Sequence, residues 1–420
     1  MKIFFPLGLL SLFIYSCNTS SEPKDFGKEL QRQLIEAKEG TTVTIPEGTF
    51  ELNRPLSFND VSNVTIKGAG KGKTILSFKG QVEGGEGMII KAVDGITLEG
   101  FTVADSKGDA IKVQGCNRVI MRDLEATWTG GKLDSNGGYG LYPVTCTNVL
   151  MENCEASFAM DAGIYVGQST NVVVRNNWAH NNVAGIEIEN TINADVYANK
   201  ATDNAGGLLI FDMPDLPQAN GHDIRVHDNE VAQNNGENFA APGIVVSILP
   251  PGTGLLVMAH RDIEVYNNRI SGHNTVSIAL NSWQLTGRPF QSEAYDPFCH
   301  GLDIHDNQIT MGNGPSDTTT EFGQLFSMIM QGQPAGIAYD GVVNPMHLDE
   351  NGAMLEAHRI CFRNNGDLPF INLNAAAAMD ENGLNPEKLA QVISTDISAF
   401  DCQQEPLTLE GHDTWLSESK

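Results

Sequence analysis

The chain has 420 residues, with 52 acidic against 26 basic side chains and a formal net charge of −26. This charge argues against nucleic acid as a partner, because binding DNA or RNA begins with lysines and arginines that displace counterions from phosphate. Glycine is abundant at 43 residues and aromatic residues make up only 7%, a composition that indicates many tight turns rather than a helical bundle.

The first residues have the pattern of an export signal. Lys2 supplies a short positive region, and residues 3–14 are almost wholly apolar but too short to span a bilayer. The stretch that ends at Cys17 resembles a bacterial lipobox, which predicts a lipid on Cys17. Plain secretion is the alternative, because Tyr15 is larger than the residue usual at that place. We therefore expect an exported protein of the bacterial cell envelope, held to the membrane by its lipid anchor.

Residues 25–40 predict a helix with one apolar face. Leu30, Leu34 and Ile35 recur at helical spacing. We expect this helix to cover the first unit of the repeat described next, because an open end would expose unpaired backbone.

An apolar triplet recurs along the rest of the chain at undisturbed spacings of 22 or 23 residues. The triplets lie at 119–121, 149–151, 172–174, 194–196, 224–226, 263–265, 302–304 and 359–362. A second apolar series falls between them at 110–113, 140–142, 163–166, 185–188, 207–210 and 243–246. Each unit thus holds at least two short strands with period 2 and is too short to bury its own apolar face, so the units must stack. This pattern predicts a parallel β-helix in which each unit is one coil.

Two columns of like residues support the stacking. One asparagine per coil follows the triplet strand, at Asn177, Asn199, Asn229, Asn268, Asn307 and Asn365. Such a column predicts a ladder of hydrogen bonds that satisfies buried corners. Cys116 and Cys146 share another column, where a disulfide and a reduced pair are equally compatible with the spacing.

The repeat blocks resemble a known family. The stretches "DAGIYVGQS", "GIEIEN" and "GLLIFDMPDLP" are similar to those of bacterial lipoproteins or secreted proteins with parallel β-helix repeats, a family whose biochemical role is not established. The resemblance implies an all-β, single-stranded, right-handed parallel β-helix with an N-terminal helical cap. It also implies a diheme c-type cytochrome, often encoded alongside, as a partner. More distantly, the coils resemble pectate-lyase-like carbohydrate-processing proteins such as lyases, hydrolases and mannuronan epimerases.

This organisation divides the chain into four segments. A signal peptide, a tether, the β-helix with its N-terminal cap, and a C-terminal cap or tail are expected at 1–16, 17–24, 25–374 and 375–420. Cys361 and Cys402 flank the start of the C-terminal region, and we expect them to form a disulfide in an exported chain.

Insertions indicate which face of the coils is functional. Extra residues flank the second strand series at 128–138, 212–221, 236–242, 249–260 and 282–299. Loops on both margins of one strand series would wall it into a groove, and insertions in repeats commonly mark the binding side.

The outward residues of that series supply the candidate site. Glu187 and Glu189 share a face of one strand, and Asp212 follows about one coil along. Neighbouring carboxyl groups raise one another's pKa, as an acid–base pair requires, and the same cluster could hold Ca²⁺. The alternative is that they are solvated surface charges. Tyr165 completes the set of predicted catalytic residues as a proton donor.

The remaining candidates are contact residues. Tyr142 stacks on Tyr165 either as a structural ring ladder or as a sugar platform, and Gln168 and Phe211 complete the predicted substrate-binding set. The histidines are interpreted differently: His227 and His305 share a column two coils apart, too far for one metal ion. Corner positions are assigned to His222, His260, His300 and His358.

Two functions follow from this pattern. The first is a lipid-anchored envelope protein whose groove binds an extended glycan or a protein partner. The second is a carbohydrate-active enzyme, a polysaccharide lyase, epimerase or hydrolase, that uses the outward carboxylates and tyrosines. A cleft lined by carboxylates and tyrosines would favour a glycan, and a broad apolar patch around Leu209 and Phe211 would favour a protein partner.

Overall fold

Three long parallel sheets run along one stack of coils and enclose a common apolar core. The computed structural model describes residues 25–380, 383–412 and Trp415. Each regular coil contributes one strand to each sheet, so neighbouring strands in a sheet come from successive coils. The chain is therefore an all-β parallel β-helix, and the predicted fold class is confirmed.

We name the sheets by the order in which the chain enters them. Sheet A has 11 strands, Thr42–Thr44, Val64–Lys67, Asp94–Glu99, Asn117–Arg122, Thr147–Glu152, Thr170–Arg175, Ile192–Tyr197, His222–His227, Arg261–Tyr266, His300–His305 and Ile360–Arg363. Sheet B has 10 strands, Gly48–Glu51, Thr74–Ser77, Thr102–Ala104, Glu125–Thr127, Glu155–Ser157, Trp178–His180, Lys200–Thr202, Glu230–Ala232, Arg269–Ser271 and Gln308–Thr310. Sheet C has 11 strands, Leu56–Asn59, Met88–Lys91, Ile111–Gln114, Leu141–Val144, Ala162–Gly167, Ala184–Glu189, Gly206–Phe211, Thr253–Met258, Val276–Asn281, Ala335–Tyr339 and Phe370–Asn372.

Helices lie outside these sheets. The α-helices are Phe26–Glu36, Glu321–Ile329, Ala375–Ala378 and Pro386–Val392. The 3₁₀ helices are Val245–Ile248, Trp283–Thr286, Pro345–His347, Glu356–His358 and Ser398–Phe400. A short antiparallel pair joins Met379–Asp380 to Gly383–Leu384.

The triplet series forms sheet A in the predicted register. Val172 pairs with Val149 on one side and with Ala194 on the other. All three side chains are fully buried. Burying a side chain such as valine contributes about 1.5–3 kcal/mol, so these columns stabilise the stack along its whole length.

Sheet B is the sheet that periodicity alone does not reveal. Its strands are mostly three residues long, as in Lys200–Thr202, where the middle residue Ala201 is the buried one. A strand with a single inward side chain has no period to detect.

The predicted strand at 243–246 is wrong. Val245–Ile248 form a 3₁₀ helix, and the sheet C strand of this coil is Thr253–Met258, in which Leu255 pairs with Leu208. Both runs are apolar and contain glycine, so their composition does not separate them. The stack selects the run that continues the register, and the other run packs outside the sheet.

The predicted asparagine ladder is confirmed. Each amide oxygen accepts hydrogen bonds from the preceding coil, as where the backbone N–H of Asn199 donates to Oδ1 of Asn229 at 3.0 Å. Asn229 in turn donates its side-chain amide to the carbonyl of Val196 at 2.9 Å and to Oδ1 of Asn268 at 2.9 Å. A second, unpredicted ladder runs through Asn182, Asn204 and Asn234 and ends at His273.

The N-terminal end of the stack is covered by the predicted helix, which spans Phe26–Glu36. Asp25 caps it by accepting a hydrogen bond from the backbone N–H of Lys28 at 3.2 Å. Leu30 and Leu34 are buried against the first coil.

The C-terminal segment is fixed to sheet A. A disulfide joins Cys361 to Cys402, the pairing that the sequence predicts. From there the chain runs back along the sheet: the N–H of Gln404 donates to Asp303, and His412 contacts the carbonyl of Asn193. The C-terminal segment therefore lies along the side of the stack in addition to covering its last coil.

The other cysteines are reduced in the described part of the chain. Cys116 and Cys146 are buried free thiols, so the column holds a reduced pair. Cys17 and the signal segment lie outside the described residues, and the lipid anchor stays a prediction. No helix in the described ranges has the length and apolarity that crossing a membrane requires.

Replacing one rung of the first ladder tests its contribution. Asn229→Ala leaves the buried N–H of Asn199 and the carbonyl of Val196 without their partners, so we expect the free energy of unfolding to fall by about 2–4 kcal/mol. Chemical denaturation followed by circular dichroism measures this. The control Asn59→Ala lies at an exposed position of sheet C and should change stability by less than about 0.5 kcal/mol. Equal effects of the two substitutions would contradict the assigned role.

Candidate functional site

The outward side chains of sheet C form two adjacent columns. In register along the first are Tyr165, Glu187, Leu209, Leu256 and Ala279. In register along the second are Gly167, Glu189, Phe211, Met258 and Asn281. The predicted alignment of outward residues is therefore present, but these columns are largely apolar.

Three inserted segments cover these columns, and we call 236–252, 282–299 and 311–334 the covering segments. Apolar side chains of the first two segments pack with the outward residues of sheet C in one buried cluster, which includes Phe239, Val246, Leu249, Trp283 and Tyr295 from the segments and Tyr165, Leu209, Phe211 and Met258 from the sheet. Phe326 of the third segment packs in a second cluster with Val276, Ala279 and Leu285. The outward face of sheet C is thus a second core rather than an open surface.

Hydrogen bonds fix the covering segments in place. The side-chain amide of Asn238 donates to the carbonyls of Val246 and Leu249, both at 2.9 Å. The hydroxyl of Tyr295 donates to the backbone carbonyl of Asp212 at 2.9 Å. Each bond ties an inserted loop either to itself or to the end of a sheet C strand.

A cavity of about 250 Å³ remains between the columns and the covering segments. Most of its wall is apolar and includes Leu209, Phe211, Val246, Leu249, Met258, Leu285 and Phe326. Half-buried residues, Ile244, Val245, Thr286 and Phe322, belong to the covering segments and form its rim. The tyrosine and carboxyl side chains of the wall lie at one end, which we call the acidic end: Tyr139, Asp161, Tyr165, Glu187 and Glu189. The other polar residues of the wall are Thr253, Asn281, Ser282 and Thr286.

Tyrosines partner the carboxyl groups at the acidic end. The hydroxyl of Tyr165 donates to Oε2 of Glu189, and the side chain of Tyr139 is hydrogen-bonded to Asp161. The rings of Tyr139 and Tyr165 lie 4.3 Å apart between centroids. The tyrosines therefore both shield and hydrogen-bond the acids.

The buried setting favours the protonated acids. Desolvation, assisted by the charge of Asp161, raises the pKa of Glu187 well above its usual value. Desolvation together with the charges of Asp212 and Asp161 raises the pKa of Glu189 to about 8. The pKa of Asp161 rises to about 7, chiefly through desolvation and against its hydrogen bond to Tyr139. The raised pKa values favour the protonated, neutral forms of Glu187 and Glu189, which can donate hydrogen bonds.

The alternative that these acids are solvated surface charges is wrong. Only 2% of Glu187 and 3% of Glu189 is exposed. The insertions predicted at 236–242, 249–260 and 282–299 overlap two of the covering segments, and together with 311–334 these segments bury the strand instead of leaving an open groove.

Asp212 does not join the acidic end. Its Oδ2 accepts a hydrogen bond from the N–H of Gly221 at 2.7 Å, while its Oδ1 has no hydrogen-bond partner and lies 3.7 Å from Nε2 of His260. Burial raises the pKa of Asp212 to about 8 and lowers that of His260 to about 3, so both are neutral at pH 7.

The expected calcium set of Glu187, Glu189 and Asp212 is therefore not assembled. Among the described residues, these three carboxyl groups do not form a group of ligand atoms within 4.8 Å of one another. The reason is that Asp212 turns into the corner beyond its strand, whereas the two glutamates face the cavity.

Two predicted contact residues lie behind the cavity. Tyr142 packs edge-on against Tyr165, with ring centroids 4.8 Å apart, and under the ammonium of Lys112. Gln168 occupies the corner after its strand with a φ of 49°. Neither side chain lines the cavity, whereas Tyr165 and Phe211 do.

The sequence predicts the positions of the histidines but not all of the contacts between them. His227 and His305 are separated by the ring of Tyr266, as a two-coil spacing requires. His300 and His358 lie at the corners before sheet A strands, as predicted, and the structure adds that their rings meet with centroids 4.7 Å apart.

Several lining residues were missed by sequence reasoning. Tyr139 lies just before the strand series in an insertion, and Asp161 has the pattern of a turn residue. The helix Glu321–Ile329 could have been predicted from the sequence, because Phe322 and Phe326 recur at helical spacing on one face.

Comparisons with known proteins agree with the fold. Residues 125–286 match the family model described as right handed beta helix region. Over 258 residues the chain is 27% identical to the pre-neck appendage proteins of the Bacillus phages PZA and phi29. That match takes in 50% of this chain and 30% of each phage protein, so it spans less than a third of their length.

Solved structures are similar at lower identity, and one of them, with a TM-score above 0.5, has the same fold. The N-terminal fragment of gene product 12 of bacteriophage phi29 is 16% identical with a TM-score of 0.53, covering 82% of this chain and 60% of the fragment. The A-module of the Azotobacter vinelandii mannuronan C-5 epimerase AlgE4 is 15% identical with a TM-score of 0.48, covering 81% of this chain and 91% of that module. The chain is a right-handed parallel β-helix.

A neutral replacement at the acidic end should change how stability depends on pH. Because the folded pKa of Glu189 is raised to about 8, its stabilising proton is present at low pH and is lost as the pH rises through that value. Glu189→Gln keeps a neutral side chain at every pH. We therefore expect the variant to gain stability over the wild type between pH 5 and pH 9, on the order of 1–3 kcal/mol.

Denaturant unfolding at several pH values measures this difference. The control Glu51→Gln changes an exposed carboxylate of sheet B and should leave the pH dependence unaltered. A Glu189→Gln curve parallel to that of the wild type would show that Glu189 is not protonated in the folded protein.

Proposed function

We propose that this protein binds an elongated apolar ligand in the covered cavity, with a neutral or cationic polar end of the ligand at the acidic end. The observation that carries the proposal is the division of the cavity wall: most of its length is apolar, and its tyrosine and carboxyl side chains lie together at one terminus, while Thr253, Asn281, Ser282 and Thr286 are the polar residues elsewhere in the wall. Ligand sites commonly combine such an apolar wall with a few polar groups that fix orientation.

The shape of the cavity supports a chain-like ligand. Its floor is formed by five successive sheet C strands, from Ala162–Gly167 to Val276–Asn281. At a strand spacing of about 4.8 Å, these strands span about 19 Å along the axis. A floor of that length suits an extended alkyl chain better than a compact molecule.

An extended glycan fits this lining poorly. Each buried hydroxyl of a sugar needs a hydrogen-bond partner, and leaving one unpaired costs about 1–3 kcal/mol. Away from the acidic end, the wall consists mainly of residues such as Leu209, Phe211 and Phe326, which offer no partner. The broad apolar patch expected for a protein partner is likewise covered, since Leu209 and Phe211 are buried.

The acidic end would select the polar group of the ligand. Protonated Glu187 and Glu189 can donate hydrogen bonds to a hydroxyl or carbonyl. An amine could instead take a proton from either acid and form an ion pair, because an adjacent cation lowers a carboxyl pKa. A carboxylate ligand is disfavoured, because ionisation of Asp161 would repel it.

A second candidate function is proton transfer on a carbohydrate. It is supported by the hydrogen-bonded pair of Tyr165 and Glu189, since an acid with a pKa of about 8 can work in general acid–base catalysis near neutral pH. In this case the sugar ring would occupy only the acidic end. For either function, we also propose a location in the cell envelope, on the basis of the predicted export signal and the predicted lipid on Cys17.

Displacement of a fluorescent probe tests the main proposal. N-phenyl-1-naphthylamine fluoresces more strongly in apolar surroundings, and we expect it to bind the purified chain. Dodecanol and dodecylamine should displace it, dodecanoate should do so more weakly, and alginate oligosaccharides should not. Displacement by the oligosaccharides, or their conversion to products detected by mass spectrometry, would support the second candidate instead.

A blocking substitution locates the binding to the cavity. Ala279→Phe places a ring on the cavity floor and should weaken probe binding at least tenfold, about 1.4 kcal/mol. The control Ile89→Phe lies in the same outward column of sheet C but several coils away, outside the cavity. Equal affinities of the two variants, with both folded, would contradict the proposal.

A further inference from the structure

A cluster of three histidines lies outside the covered cavity, at the junction of three segments. His300 begins the sheet A strand His300–His305. His347 ends the 3₁₀ helix Pro345–His347, and His358 ends the 3₁₀ helix Glu356–His358. Both helices belong to the long segment between the last two full coils, so the cluster joins that segment to the body of the stack.

The ring nitrogens of this cluster converge. Each of the three histidines offers one nitrogen, and these three atoms lie within 4.8 Å of one another. Nδ1 of His300 and Nδ1 of His358 are 3.1 Å apart. In a tetrahedral zinc site with Zn–N bonds of about 2.0–2.1 Å, two ligand nitrogens are separated by about 3.4 Å. Small side-chain rotations would therefore bring these nitrogens to the spacing of a zinc site.

The hydrogen bonding leaves ring nitrogens facing one another. Nε2 of His300 lies 3.1 Å from Oδ2 of Asp296, which holds the proton on Nε2 and leaves the Nδ1 lone pair directed at the cluster. Nδ1 of His347 is buried and has no hydrogen-bond partner within the described part of the chain. A carboxylate behind one imidazole and an unsatisfied nitrogen on another are the features of a metal site rather than of a packed core.

The surroundings suit a cation with one accessible face. His300 is buried, whereas His347 and His358 are half-buried, so a bound ion could take a fourth ligand from solvent. The charged groups that act on these histidines include two carboxylates, Asp262 and Asp296, and one guanidinium, Arg261. Negative charge therefore outnumbers positive charge among these three groups.

We propose that His300, His347 and His358 bind one divalent transition-metal ion, zinc by preference, with Asp296 positioning His300. Three imidazoles with an open fourth position are a common zinc ligand set, and hard ions such as Ca²⁺ prefer oxygen ligands. The ion would fasten the segment 341–359 to sheet A. That segment is otherwise weakly packed, with Met346 81% exposed and Leu355 43% exposed.

Titration of the untagged, chelator-treated full chain with ZnCl₂ in a calorimeter tests the site. We expect one ion per chain, a rise in the thermal unfolding midpoint with Zn²⁺, and no response to Mg²⁺ or Ca²⁺. Co²⁺ should give the visible absorption of a tetrahedral nitrogen-ligated ion. His347→Ala and His358→Ala should abolish the calorimetric signal, and Asp296→Asn should weaken affinity about 10–100-fold.

A matched control separates this site from other histidines. His222 occupies the same sheet A column as His300, through its register with Arg261, and pairs with Asp223 instead of other histidines. His222→Ala should bind zinc like the wild type. Unfolding midpoints of the metal-free variants check that each is folded. No zinc binding by the wild type, or unchanged binding in both His347→Ala and His358→Ala, would overturn the proposal and leave a cluster of packed histidines.

Discussion

Parallel stacking in register is the constraint on which the rest of this structure depends. Each coil repeats the backbone path of the previous one, so residues about 22 positions apart become neighbours at strand spacing. The buried asparagine ladders fix this register, because each amide must meet the backbone of the adjacent coil. A slip by one residue would leave these groups unpaired and turn every inward side chain outward. Register therefore determines both the core and the order of outward residues on sheet C.

The candidate site is created by the insertions and not by the coils. Without the covering segments, Glu187 and Glu189 would be ordinary exposed acids on a negatively charged surface. Once covered, they lie in an apolar cavity where ionisation is costly, and protonation is the less expensive state. The same insertions supply most of the apolar wall that extends away from the acidic end. The covering segments thus have two consequences: they provide an apolar wall that can bind an apolar chain, and they bury the acids so that the neutral forms are favoured. The histidine cluster shows the same principle at another insertion, where loop residues meet the start of a sheet A strand.

The sequence predicts the parts of the structure that repeat, and it predicts less well the parts that interrupt the repeat. The triplet strands, the asparagine column and the helix Phe26–Glu36 follow from periodicity, because the stack imposes the same environment on each coil. The sequence predicts a strand at 243–246, whereas the structure has the strand at Thr253–Met258. Either apolar run could fill the core, and only the register of the stack decides between them. Burial of Glu187 could not be read from the strand, because it depends on loops far away in the chain. The contact between His347 and His300 could not be predicted, because no repeat spacing relates the two positions. It depends on how the loop that carries His347 folds back onto the stack.

Infrared spectroscopy of the carboxyl groups tests the central claim most directly, because the carbonyl stretch of a protonated carboxyl group is distinct from the absorption of a carboxylate. In deuterated buffer at pH 7, we expect a protonated-carboxyl band that loses intensity in Glu187→Gln and Glu189→Gln and shifts when dodecylamine occupies the cavity. Since Glu187 and Glu189 lie on the outward face of sheet C, this band would place neutral acids beneath the covering segments. A wild-type spectrum at pH 7 with carboxylate absorption alone would contradict the account.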